Sequence, residues 1–229
     1  WRQVRRYYNA QESAQLFRRA PTVSQTRAVL PRTLEPFVAL QADCISLGSW
    51  SYPRNVPQGQ QHQYIFVCVD YVTRYSWLCT FRGKLIPSKT INCMKKVVAD
   101  VRERYGSWPR NTVLRVDNGS ADFPRAFVDA VQAHEPNIRV EHGVSNNPNS
   151  QAIAEGTVGI WRGLARRTLR NRDTSDWPAL LPEMNAMLNN RKNAAIGYTA
   201  PADLLQAFDD GDETVIDAAL QTMRERASK

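Results

Sequence analysis

Three carboxylates stand where chemistry could be done. Asp43 closes the apolar run 37–42, Asp117 closes the run 113–116, and Glu155 lies one turn inside a helix that opens after the polar turn 147–151. Alone, each has an ordinary reading. An aspartate at the end of a strand is commonly a turn residue, and a glutamate in a first helical turn suits the helix dipole. Brought together, they would repel one another and persist only with cations between them. Hard oxygen donors in a basic protein suit Mg²⁺ or Mn²⁺. Two such ions about 4 Å apart can activate an attacking oxygen and stabilise a leaving oxygen on phosphorus. That chemistry needs neither a histidine base nor a covalent intermediate. The three histidines (His62, His134, His142) lack HxxxH spacing and the four cysteines (Cys44, Cys68, Cys79, Cys93) lack CxxC spacing. This argues against a zinc cluster and for buried, reduced thiols.

A chain of 229 residues, 42% hydrophobic and with six Trp, can bury one sizeable core. No apolar run approaches a membrane span. The first residue is Trp1, which reads as the start of a fragment or processed product, so the lack of a leader is uninformative. Net charge is +8, and the arginines cluster. Arg2, Arg5, Arg6, Arg18, Arg19, Arg27 and Arg32 crowd an arm whose one acid before Glu35 is Glu12, and Arg162, Arg166, Arg167, Arg170 and Arg172 crowd the helix after Glu155. Clusters of this kind favour a polyanionic partner, although an arginine run alone is more often a solvated face.

The elements that must position the carboxylates follow from periodicity. Residues 1–35 read as an extended basic arm with one short helix near 11–19. Strands are expected at 37–47, 64–70 and 75–81, with a polar Pro/Gly loop at 48–63, and the middle strand is apolar almost throughout and so covered on both faces. The spacing predicts an amphipathic helix over 87–105, ended by Gly106 and Pro109. A strand at 112–116, a helix at 123–133 and a strand at 138–141 come next. After the loop 143–150, helices are expected through Glu155, at 177–190 and at 199–208, then an acidic stretch 209–213 and a last helix. The three units are the basic arm 1–35, a core 36–207 and, at 208–229, an acidic linker with a C-terminal helix. Asp70, Asp100 and Asp122 read as turn residues, Trp161 and Trp177 as core, and Cys44 should point away from Asp43.

Three strands, a helix, a strand, a helix, a strand and further helices is the order of an RNase H-like α/β domain, a mixed five-stranded sheet flanked by helices. In it the first and fourth strands are neighbours. Their ends bring Asp43 to Asp117, and the helix after the fifth strand brings Glu155 beside them.

On these residues the sequence resembles the integrases of retroviruses and retrotransposon-like elements, with their Asp, Asp, Glu transposase core. The segment 147–155, Asn-Pro-Asn-Ser-Gln-Ala-Ile-Ala-Glu, looks like the retroviral Asn-Pro-x-Ser-Gln-Gly-x-x-Glu signature with Ala152 for Gly. Arg115 to Ser120 resembles the segment around the second aspartate. Between Asp117 and Glu155 lie 37 residues, close to the family's spacing of about 35. The turn 69–77 is similar to those of long-terminal-repeat and Polinton-type elements, and 189–205 to the segment closing the core. The resemblance covers roughly 36–207, as an integrase-like catalytic core. It implies that Asp43 bridges two Mg²⁺ or Mn²⁺ ions, that Asp117 holds one and Glu155 the other, and that Asn149, Ser150 and Gln151 touch DNA near the reacting phosphate. Arg162 and Arg166, on or near the helical face of Glu155, would grip phosphates. The implied reaction removes terminal nucleotides with water, then joins the new 3′-hydroxyl to target DNA, by a homo-oligomer working in the nucleus.

The sequence also departs from that pattern. The His-His-Cys-Cys module and the small basic C-terminal domain are not recognisable, and Gly156 and Val158 stand where the family often has Arg and Asn. Gly156, Gly159 and Gly163 each weaken the helix by roughly 1 kcal/mol relative to Ala. A second reading therefore stays open: a domesticated, inactive integrase-like domain serving as a structural or nucleic-acid-binding subunit of a larger, RNA-containing complex, in which case an organellar location would also suit the chain.

Overall fold

The strand β1 (Ala39–Ser46) buries Leu40, Gln41 and Ala42 in succession, so both sides of the sheet are covered there. β1 pairs antiparallel with β2 (His62–Asp70), and β2 antiparallel with β3 (Ser76–Arg82). β4 (Thr112–Val116) lies parallel to β1, and β5 (Ile138–His142) parallel to β4. The sheet order is β3-β2-β1-β4-β5. The computed structural model describes residues 34–50, 52–53, 55–117, 123–143 and 152–228. The basic arm with its expected short helix, Asp122, and the loop carrying Asn149, Ser150 and Gln151 lie outside the described residues.

Every residue from Ile65 to Asp70 is buried, as the unbroken apolar run requires of a strand covered on both faces. One cover is α1 (Pro87–Tyr105) with α2 (Arg125–His134). Met94, Val97, Val98 and Val101 of α1 meet Leu40, Ala42, Phe66 and Cys68 of the sheet. Pro87 starts α1, where its missing N–H costs nothing, and Gly106 ends it at φ 72°, donating its N–H to Arg102 O. The other cover is α3 (Ala152–Asn171) with α4 (Trp177–Asn189). Ala154 and Val158 of α3 pack on Val67 and Val69, while Trp161, Trp177, Leu181 and Met184 pack on Ile65. Trp161 and Trp177 are thus core residues, as expected.

Polar side chains fasten the pieces. Asp70 accepts hydrogen bonds from Phe37 N–H (2.9 Å), Thr73 N–H (2.7 Å) and Thr73 Oγ1 (2.7 Å), closing the β2–β3 turn. The buried Asn189 accepts from Ser76 N–H and Oγ and donates to Ser76 O, tying the end of α4 to β3. α5 (Pro201–Asp210) and α6 (Glu213–Ala227) complete a third cluster in which Leu204, Ala219, Leu220 and Met223 pack with Tyr71 and Val72.

Three sequence expectations change. Asp100 lies inside α1 and accepts from Trp77 Nε1 at 2.7 Å, so it is not a turn residue. The acidic stretch 209–213 is no linker: it finishes α5, turns at Gly211 and begins α6, with Asp212 capping Thr214 N–H and Val215 N–H. Cys68 and Cys93 are buried, but Cys44 and Cys79 are only partly so, and no disulfide joins the four. Among the described residues, no helix is long and apolar enough to cross a membrane.

Candidate active site

The parallel pairing of β1 with β4 runs from Ala39 opposite Val113 to Ala42 opposite Val116. The next residues in that register are Asp43 and Asp117, which therefore emerge side by side where β4 leaves the sheet. Strand alternation decides their direction. Leu40, Ala42 and Cys44 pack toward α1, whereas Ile45 packs with the α3 residues Ala154 and Val158. Gln41 and Asp43 share the Ile45 side, and Cys44 points away as expected.

Asp43 is half-buried, and burial pushes its carboxyl above the usual carboxylate range. The bond from Cys44 N–H, 2.7 Å from Oδ1, opposes that shift, and the nearby Asp117 charge adds to it. Burial is the largest of these influences, and the Asp117 charge is near enough to be felt beside it. Asp117 is exposed, and its backbone carbonyl lies 3.4 Å from His142 Nδ1.

Glu155 is brought in by α3, whose start is pinned to β1. Gln41 Oε1 accepts hydrogen bonds from the backbone N–H groups of Ile153 (3.1 Å) and Ala154 (3.3 Å), two of the donors that a helix N-terminus leaves without an internal partner. Gln41 is two residues before Asp43 on the same side of β1, so the first turn of α3, with the exposed Glu155, begins over the strand that carries Asp43. Among the described residues no three His, Cys, Asp or Glu side chains lie close enough to form a metal-holding group. The structure thus brings Asp43 to Asp117 and the start of α3 to β1, without gathering all three carboxylates into one closed cluster.

Asp43, Asp117 and Glu155 form none of the ion pairs among the described residues. The nearest basic side chain in sequence, Arg115, faces Glu141 at 3.9 Å. Oxygen donors without a cationic side chain between them fit a hard divalent cation.

Arg162 and Arg166 are exposed on α3. The Arg166 guanidinium covers the Trp50 ring, 5.7 Å from its centroid. Sequence reasoning missed two features of this region. Gln41 was legible only as a polar residue two positions before Asp43. Trp50 and Tyr52, read as part of a polar loop at 48–63, instead pack partly buried against Trp161 and Trp177, and two aromatic residues in such a loop were the signal.

No protein-family model matches the chain. Solved structures do. A chain of the simian T-cell lymphotropic virus intasome in complex with PP2A regulatory subunit B56 gamma matches at 16% identity with a TM-score of 0.62, over 88% of this chain and 65% of that one. The HTLV-2 integrase catalytic core domain in complex with magnesium matches at 16% identity in its dimeric form (TM-score 0.53, 75% of this chain and 97% of that one) and in its trimeric form (TM-score 0.54, 75% and 98%). The fold is that of a retroviral integrase catalytic core. The integrase-like chain spans 65% of the length of the intasome chain and nearly all of each isolated core domain.

Proposed function

We propose that the chain is the core of a metal-dependent polynucleotidyl transferase that trims DNA 3′-ends and joins them to target DNA. The observation that carries this reading is that Asp43, inside β1, and Asp117, just past the end of β4, follow the last paired residues of two adjacent parallel strands, beneath a helix start that Gln41 holds to β1.

Asp43, Asp117 and Glu155 would hold two Mg²⁺ or Mn²⁺ ions; magnesium accompanies the HTLV-2 core, and the carboxylate oxygens here suit the same ion. Bound there, the ions would supply the charge that activates water or a 3′-hydroxyl and stabilises the leaving oxygen. A cation bound there would oppose the upward shift that burial gives the Asp43 carboxyl. Asn149, Ser150 and Gln151 would line the DNA beside the reacting phosphate, and Arg162 and Arg166 would draw the backbone along α3. Further copies of the chain would complete the assembly, as in the dimeric and trimeric HTLV-2 cores, and the work would be done in the nucleus.

A second reading, a structural nucleic-acid-binding subunit, is favoured by one observation: no three-carboxylate metal group is gathered among the described residues. A single experiment separates the two. Purified protein with Mn²⁺ or Mg²⁺ is given a branched DNA that mimics the joined product, beside Asp117→Asn and Glu155→Gln. Metal-dependent resolution of the branch that is lost in both variants supports the transferase. No resolution by the wild-type protein supports the scaffold.

A further inference from the structure

Of the residues lining the cleft at the far end of α3, the transferase reading gives a part only to Arg166. The cleft holds about 220 Å³ and is lined by Trp50, Tyr52 and Trp177, by Arg166 and Leu169, and by Thr174 and Ser175 of the α3–α4 connection. We propose that this cleft receives an unpaired nucleobase of the DNA that lies along α3, stacked against Trp50, with Arg166 on the adjoining phosphate. The inference rests on the reading of DNA as substrate.

Four observations support it. First, the walls are aromatic and fixed. Trp177 donates its indole N–H to Trp50 O at 2.7 Å, and Trp161 packs between the two, with ring centroids 6.1 Å from each. A rigid aromatic wall is what base stacking needs. Second, the volume is below the ~300–1,000 Å³ of drug-sized pockets, which suits one ring system. Third, Arg166 already lies over the Trp50 ring, where a base would stack, and among the described residues it takes part in no ion pair. Its guanidinium can turn to a phosphate when a base replaces it. Arg162 and Arg170 are exposed one helical turn to either side of Arg166 and would draw a polyanion along α3, while Asp173 and Asp176 flank the lining residues Thr174 and Ser175.

Fourth, the cleft lies on the track of the carboxylate site. Arg166 is eleven residues after Glu155, close to three helical turns, so both project from one face about 16 Å apart. That distance is about five nucleotide steps of duplex. Between them the exposed face carries Gly156, Gly159 and Gly163, where an added Cβ would meet nothing within 4 Å. These glycines serve no packing inside the fold and leave the helix surface low enough for a backbone to approach.

The test compares two fluorescein-labelled duplexes of one sequence, one blunt and one with a short unpaired extension, by anisotropy without divalent metal. The wild-type protein should bind the extended probe about tenfold more tightly, and Trp50→Ala should remove the difference. Equal affinity for both probes, or a preference that survives Trp50→Ala, overturns the cleft and leaves the DNA reading standing. Binding of neither probe overturns both. Because Trp50 packs on Trp161, the substitution could harm the fold, so the wild-type protein is also photo-crosslinked to 5-iododeoxyuridine placed in the extension. Adducts on Trp50 or Tyr52 support the assignment, and adducts confined to other segments overturn it.

Discussion

Gln41 holds Ile153. The side-chain oxygen of a buried strand residue accepts the backbone N–H of a helix start 112 positions later, at 3.1 Å, and the N–H of Ala154 at 3.3 Å. The contact makes the position of Glu155 depend on the strand that carries Asp43.

Gln41→Leu keeps the side chain's bulk and removes the acceptor. Leaving two amides with fewer partners should cost about 1–3 kcal/mol, read as a lower midpoint in chemical denaturation. Branch-resolving activity should fall further than stability does, because Glu155 loses its register with Asp43. Unchanged activity in a folded variant would mean that α3 is positioned by its apolar face alone.

The raised carboxyl of Asp43 links pH, metal and stability. A group whose folded pKa lies above its ordinary value of 3.8 adds stability that is full below that value and lost as pH rises through the folded pKa. At neutral pH without metal, Asp43→Asn should therefore melt higher than the wild-type protein, and the two curves should converge in acid. Added Mg²⁺ should raise the wild-type melting temperature and leave the variant unmoved. A variant that melts lower at neutral pH would show that the ionised carboxylate is stabilised in the metal-free fold.

Much of this architecture was legible in local pattern. The apolar run at 65–70 announced a doubly covered strand, and the order of strands and helices placed β1 beside β4, which brings Asp43 to Asp117. Gln41 was not legible, because its role depends on amides that become neighbours only after the sheet forms. Asp100 was misjudged for a related reason: the indole of Trp77 on β3 gives it a partner inside α1 that no local window contains. The acidic stretch looked like a linker because charge was weighed over the capping geometry of Asp212 and the left-handed Gly211.

Gly159 separates stability from function. It is exposed at mid-helix in α3 with open space around it, so Gly159→Ala should stabilise the protein by about 1 kcal/mol, raising the melting temperature by roughly 2–4 °C. If DNA runs along this face, the same substitution should weaken duplex binding. A variant that is more stable and binds DNA as well as the wild-type protein would remove the glycines from the DNA track.

Under the proposed function Asp43, Asp117 and Glu155, which the described fold does not gather into one closed cluster, come together around bound metal. The most direct measurement is a Mn²⁺ titration followed by electron paramagnetic resonance, on the wild-type protein with duplex DNA present and on Asp43→Asn, Asp117→Asn and Glu155→Gln. The account predicts saturable Mn²⁺ binding that each substitution weakens at least tenfold. Saturable binding that Glu155→Gln leaves unchanged, or no binding by the wild-type protein at millimolar Mn²⁺, would contradict it.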